Sequence, residues 1–179
     1  MVIGIDIDNT ISNTADIFNE RLSRFCKEKD ISVDEFNDNI NYIDEFHREY
    51  LVDIFTNAKV KNYFKDVFSR IKQNNKIIII TARSYEYFKK YCNMEEITKD
   101  WLNRNEISYD KYYSNAYMED KAKICKREKV DLMIDDDLNN YLALKEAGIN
   151  TLLFDDERRY LDIVDRVDSW KDVEKYLKS

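Results

Sequence analysis

Asp6 and Asp8 stand two residues apart at the end of an apolar run that starts at Ile3, and Thr10 follows two positions later. Side chains alternate along a strand, so acids at this spacing share a face, and a turn beginning near Asp8 brings both to one bound group. Two acids this close repel unless positive charge lies between them. A hard cation such as Mg2+ takes oxygen ligands and accepts few protein carboxylates, which suits an Asp pair at a strand end. This is the outline of a phosphoryl-transfer site. A solvated turn after a buried strand has the same short pattern, Asp-x-Asp-x-Thr, and three later segments weigh against it.

Residues 76–83 read Lys-Ile-Ile-Ile-Ile-Thr-Ala-Arg. Four consecutive β-branched residues imply a strand buried on both faces, as in a parallel sheet, with Thr81 at its carboxyl end. Residues 131–138 form another short apolar run ending in acids, Asp135, Asp136 and Asp137. Open α/β sheets bind ligands outside the carboxyl ends of their strands, so these clusters meet in one crevice. Lys121, ahead of a helical stretch, supplies the positive charge that a phosphate crevice needs, and Lys123 is the competing cation.

With these four motifs in this order, the chain resembles the haloacid dehalogenase-like superfamily of aspartate-dependent phosphotransferases. The resemblance implies a Rossmann-like α/β fold, a parallel sheet with helices on both faces and a small helical cap inserted after the first strand. It implies Asp6 as nucleophile, Asp8 as general acid and base, and Thr81, Ala82, Arg83 and Lys121 around the phosphate, with Lys121 also counted among the catalytic groups. Magnesium is expected on Asp6, the Asp8 backbone carbonyl and Asp136, with Thr10 and Asp135 behind these ligands. Asp137 reads as a helix-start acid without a functional role, since acids are favourable there. Asn9 replaces the glycine of many members, and Asn tolerates the left-handed turn that this position needs. The second acid also favours a phosphatase over a dehalogenase, because a halide leaving group needs no proton.

A narrower resemblance spans nearly the whole chain. Thr98 with Trp101-Leu102, Ile107 to Asp110, Asp120 to Cys125, and Arg166 to Trp170 are similar to the cytosolic type C 5'(3')-deoxyribonucleotidase family and its bacterial relatives. That implies hydrolysis of nucleoside monophosphates, preferably deoxy. The aromatic base pocket of the eukaryotic members does not map onto this chain, where Thr14 follows the first motif. A phosphatase of another small phosphomonoester, such as a sugar phosphate, is the second reading. A sensor that keeps the fold without catalysis is the third, and a sensor has no need of both acids.

The 179 residues suffice for one α/β core with a small insert. A net charge of −7 disfavours extended nucleic-acid contacts, which rest on many cations against phosphates. No apolar run approaches a membrane span. With Cys26, Cys92 and Cys125 scattered and matching no metal spacing, a reduced cytoplasmic setting is expected, as monomer or homodimer. Proline is absent and glycine occurs only at Gly4 and Gly148, so turns must rely on Asn, Asp and Ser.

Residues 12–75 show helical rather than alternating periodicity, which predicts a helical cap there and a catalytic core over 1–11 and 76–179. Phe18, Phe36, Tyr42, Phe46 and Tyr50 are the aromatics from which a base-stacking wall would come, although aromatics at helical spacing usually form core. His47, the sole histidine, is read as a cap residue without catalytic duty. Arg83 is weighed equally between meeting a phosphate and pairing with a crevice acid. Beyond it the pattern predicts one or two helices over 85–104, an edge strand near 109–114, a helix over 139–146 capped by Gly148, a last strand over 150–154, and an amphipathic helix over 169–177.

Overall fold

All four isoleucines at 77–80 are fully buried, and together they explain the layering of the molecule. A computed structural model describes residues 1–83 and 85–178, apart from the side chains of Tyr85, Tyr87, Met118 and Glu119. In chain order the elements are β1 (Val2–Ile5), α1 (Thr14–Lys29), α2 (Val33–Asp38), α3 (Ile40–Asn57), α4 (Phe64–Ile71), β2 (Lys76–Ile80), α5 (Tyr85–Phe88), α6 (Met94–Arg104), β3 (Lys111–Tyr113), α7 (Met118–Glu128), β4 (Leu132–Asp135), α8 (Leu138–Glu146), β5 (Thr151–Phe154), β6 (Arg166–Val167) and α9 (Trp170–Leu177).

The strands form one sheet in the order β3-β2-β1-β4-β5-β6, and every pairing is parallel. Parallel neighbours need crossovers, and the crossover helices cover both faces, which is why these strands read as continuous apolar runs. Ile77 and Ile79 pack on one face with Phe64, Val67, Trp101 and Trp170 from α4, α6 and α9. Ile78 and Ile80 pack on the other with Ala122, Cys125 and Leu144 from α7 and α8. Gly4 makes room for side chains of β4 and β2: an added Cβ would meet the Met133 sulfur at 2.6 Å and Ile80 at 3.3 Å. The parallel α/β sheet with helices on both faces expected from the sequence is the one found.

The helical stretch between β1 and β2 serves two clusters. Leu22, Phe25, Phe36, Phe46, Tyr50 and Ile54 of α1, α2 and α3 form a core of their own. The apolar face of α4 instead joins the sheet's cluster, where Phe64 meets the Trp170 ring at 4.7 Å. Asp44 on α3 ties this insert to the α5–α6 segment by accepting from Lys90 Nζ and the Tyr91 hydroxyl, each at 2.8 Å.

Gly148 (φ 77) ends α8 as expected, its N–H donating to Lys145 O while that of Ile149 donates to Leu144 O. The expectation of a last strand at 150–154 needs correction. The two-residue β6 follows β5 and pairs Arg166 with Leu153 and Val167 with Phe154. Two residues carry no alternation to read.

Helix α9 reaches back to the first motif. The Trp170 indole N–H, buried at 0% exposure, donates to the Thr10 carbonyl at 2.9 Å. Trp170→Phe keeps most of the packing and leaves that carbonyl unpaired, at an expected cost of ~1–3 kcal/mol in urea unfolding. An unchanged midpoint would show that the bond contributes nothing.

Candidate active site

The loop after β1 is built by backbone bonds that bend it sharply. The N–H groups of Ile11 and Ser12 both donate to Ile7 O, at 2.9 and 3.0 Å. Asn9 takes the left-handed conformation (φ 56), and its side-chain oxygen accepts from Ala15 N at 2.8 Å, capping the start of α1. The expected replacement of glycine by asparagine thus acquires a second use. At the same strand level Asp6 N–H donates to Ile134 O at 3.0 Å, so β1 continues its pairing with β4 into the motif itself.

Lys121 comes from α7 and is fully buried. Its ammonium donates to Asp6 Oδ1 at 2.7 Å and to Asp135 Oδ2 at 2.6 Å. The competing Lys123 is exposed and lies 3.3 Å from Asp120. Asp135 Oδ1 accepts from the Asp137 N–H and from Asn140 Nδ2, both at 3.1 Å, so with Lys121 that carboxylate takes three hydrogen bonds from protein. Asp136 accepts from the Thr10 hydroxyl at 3.3 Å. Asp137 caps α8, accepting from Asn140 N at 2.8 Å.

Oxygens of Asp6, Asp135 and Asp136 all lie within 4.8 Å of one another, close enough to share a metal ion. Among the described residues, Asp6, Asp8, Asp135 and Asp136 outnumber Lys121 and Arg83, and this excess negative charge fits a hard divalent cation. The electrostatics carry the same message. Burial pushes the Asp6 carboxyl well above its usual range; Lys121 pulls it back, while Asp135, Asp136 and Asp8 add to the rise. Burial, with Asp135 beside it, raises Asp136 to about 7. Burial works against the Lys121 charge, but Asp135 and Asp6 more than offset it and raise its pKa.

Asp8 goes the other way. Burial opposes its charge, yet the charge and hydrogen bonds of Arg83, with help from Thr14, hold its carboxyl below the usual range. Arg83 makes a two-pronged contact, Nη2 to Asp8 Oδ1 at 2.7 Å and Nε to Oδ2 at 2.9 Å. The Thr14 hydroxyl donates to Oδ1 at 2.6 Å.

A cleft of about 310 Å³ opens over these groups, lined among others by Asp6, Asp8, Asn9, Ala82, Tyr117, Lys121, Asp136 and Asn139. Thr81 is buried at the end of β2, its hydroxyl oxygen 3.3 Å from the Arg83 N–H. Ala82 and Lys121 of the expected phosphate set lie in the lining. Arg83 does not: its side chain is 1% exposed and turned onto Asp8, because a desolvated guanidinium fork matches a carboxylate in geometry and charge.

The insert's aromatics form core, as aromatics at helical spacing usually do. Phe36, Phe46 and Tyr50 are buried within the insert, with Phe18 and Tyr42 packed against them, and His47 sits among Phe46, Phe88 and Tyr91. The aromatic in the lining is Tyr117, 52% exposed at the start of α7. Sequence reasoning places Thr14 just after the first motif but not on Asp8, and it misses Tyr117 altogether. Thr14 had only its nearness to Asp8 as a signal, and a lone Tyr before a helix has none.

The family described as 5' nucleotidase, deoxy (pyrimidine), cytosolic type C protein matches residues 1–179. The chain belongs to this family. A nucleotidase of Clostridium acetobutylicum resembles this cytosolic type C chain at 28% identity over 86% of it and 79% of the relative. Among solved structures, a haloacid dehalogenase-like hydrolase from Streptococcus pneumoniae superimposes with a TM-score of 0.71 at 13% identity, covering 98% and 97% of the two chains. A Bacillus subtilis haloacid dehalogenase-like hydrolase bound to magnesium gives 0.69 at 10% identity, covering 99% and 98%. The cytosolic type C family is one of haloacid dehalogenase-like phosphatases, hydrolases of small phosphorylated substrates. No helix among the described residues is long and apolar enough to cross a membrane.

Because Asp136 is raised by burial and by Asp135, it binds its proton more tightly folded than unfolded. Its ionisation therefore costs stability as pH climbs from the usual carboxylate range through about 7. In EDTA, Asp136→Asn is expected to stabilise the fold at pH 8 and to make little difference at pH 5 in urea unfolding. Equal effects at the two pH values would remove this account.

Proposed function

We propose that this protein is a magnesium-dependent phosphatase of nucleoside monophosphates, with deoxyribonucleotides preferred, that works through an aspartyl-phosphate on Asp6 in the cytoplasm. The observation that carries the reading is Lys121, buried between Asp6 and Asp135 at the floor of a cleft whose remaining acids exceed the cations. Asp6 Oδ1 is held by that ammonium, which leaves Oδ2 to attack phosphorus. As the new P–O bond forms, the ester bond breaks and the departing oxygen takes a proton that Asp8, ionised beside Arg83 in the resting site, has received from the monoanionic phosphate. Asp8 then removes a proton from water, which attacks the aspartyl-phosphate and returns free phosphate and Asp6.

Lys121 offsets charge on the phosphate oxygens, and Thr81 with the backbone at Ala82 holds them in place. Asp6, the Asp8 backbone carbonyl and Asp136 would hold magnesium, which supplies Lewis-acid charge at the transferring group. The free directions of Asp136 support it as the ligand from the fourth motif, with Asp135 spent on Lys121, Asp137 and Asn140 and with Thr10 steadying Asp136. The division proposed is a core of 1–11 and 76–179 with a helical insert at 12–75, of which α1 to α3 cover the crevice as a lid.

Tyr117 supports a nucleotide over a smaller ester. An exposed ring at the mouth offers a face to a base, and in the same lining the Asn9 Nδ2 donor and the Asn139 amide suit a base edge.

The decisive measurement is phosphate release from 5'- and 3'-(deoxy)nucleoside monophosphates beside sugar phosphates, with Mg2+ and with EDTA. Metal-dependent release selective for nucleotides is expected; release from sugar phosphates alone, or none, would overturn the proposal. Asp6→Asn is expected to abolish turnover while thermal unfolding stays cooperative, and appreciable residual activity would remove Asp6 as nucleophile. Tyr117→Ala is expected to raise KM for nucleotides about tenfold, within the ~1–3 kcal/mol of a base stacked on an aromatic ring, and to leave sugar phosphates unaffected. A KM unchanged for nucleotides would remove the ring from base binding.

A further inference from the structure

Among the described residues, the Arg83 guanidinium contacts Asp8, Thr98, Phe55 and Trp101. Its edge is clamped on Asp8 through Nη2 and Nε, and Nη1 donates to Thr98 Oγ1 on α6 at 3.3 Å. One of its faces is covered by Phe55 of α3, whose ring centroid lies 4.7 Å from Cζ, and the Trp101 ring of α6 lies 5.8 Å away. Thr98 is held in turn, donating to Met94 O at 2.7 Å. Phe55 belongs to the helical insert, whereas Asp8, Thr98 and Trp101 belong to the parts around the sheet. The guanidinium therefore touches Asp8 and the aromatic end of α3 at once.

We propose that Arg83 is a positioning residue that aims the Asp8 carboxylate, and that Phe55 couples the placement of the helical insert to Asp8 through the guanidinium plane. Two parallel hydrogen bonds fix both the distance and the plane of a carboxylate, which a single bond does not. Oδ1 is then fully used, by Arg83 and Thr14, and Oδ2 keeps one lone pair directed at the cleft that Asp8 lines. A shift of α3 moves the Phe55 ring, and a guanidinium held against that ring and against Thr98 must follow or lose contact. Proton transfer is steep in distance, so a displacement of about 1 Å at Asp8 is worth about a hundredfold in rate.

This inference rests on the phosphatase reading for its kinetic arm, and a stability arm stands without it. Wild type, Arg83→Met, Arg83→Lys and Phe55→Leu are compared on an alkyl phosphate, a nucleoside 5'-monophosphate, and on p-nitrophenyl phosphate, whose leaving group needs little protonation. Arg83→Met is expected to lower kcat/KM about a hundredfold on the alkyl ester and less than about fivefold on the aryl ester, since only the former needs the aimed acid. Arg83→Lys recovers part of the loss, and Phe55→Leu lowers the alkyl rate severalfold only while Arg83 is present. A raised KM with unchanged kcat on both esters would make Arg83 a phosphate ligand and overturn the proposal, as would equal losses on both.

If the wild type hydrolyses neither ester, the phosphatase reading fails and the second arm decides. Urea unfolding of Asp8→Asn, Phe55→Leu and the double variant is expected to be non-additive with Arg83 present and additive with Met in its place. Additivity in both backgrounds would overturn the coupling.

Discussion

A buried ammonium between two buried carboxylates sets the terms for the rest of the molecule. Charges removed from water cost several kcal/mol each, and breaking such a pair by deleting one partner costs about 3–5 kcal/mol. Lys121 therefore requires Asp6 and Asp135 to arrive together. The sheet order does this by placing β1 beside β4, with Asp6 still hydrogen-bonded to Ile134 where the pairing ends. Helix α7 delivers the lysine from the face where Ala122 and Cys125 pack against Ile78 and Ile80.

The second cation divides the labour. Lys121 sits with Asp6 and Arg83 sits with Asp8, so two carboxylates separated by one residue live in opposite fields. Asp6 is pushed up by burial and neighbouring acids, while Asp8 is held down by Arg83 against its own burial. Pairs of acids whose surroundings drive them apart are a common mark of sites that move protons. Asp136 completes the pattern, raised and sparsely bonded on the open side.

Much of the architecture was legible because each central strand is buried on both faces. Four successive isoleucines have no other use, and the acids at the ends of 3–5 and 132–135 mark the crevice by their place alone. The short β6 was not legible, since two residues have no period. Nor was the fate of the insert's aromatics. A helical stripe of Phe and Tyr tells which face is buried but not against what, and here most of it meets its own helices rather than the cleft. Arg83 shows the deeper difficulty. Its neighbours in sequence point to a phosphate, and only the folded distance to Asp8, 75 positions earlier in the chain, sends the guanidinium elsewhere. Tyr117 gains its meaning in the same way, from standing alone at a mouth that no local pattern describes.

The Trp170 bond to the Thr10 carbonyl spans 160 positions. The first motif leaves the ribosome well before the clamp that holds its loop, which is made 160 positions later. At roughly 5–20 residues per second the interval is on the order of ten seconds. During that time the nascent chain carries both acids on a loop without its final brace. Completion of this loop thus waits for α9 to be made and docked, long after the loop itself has emerged.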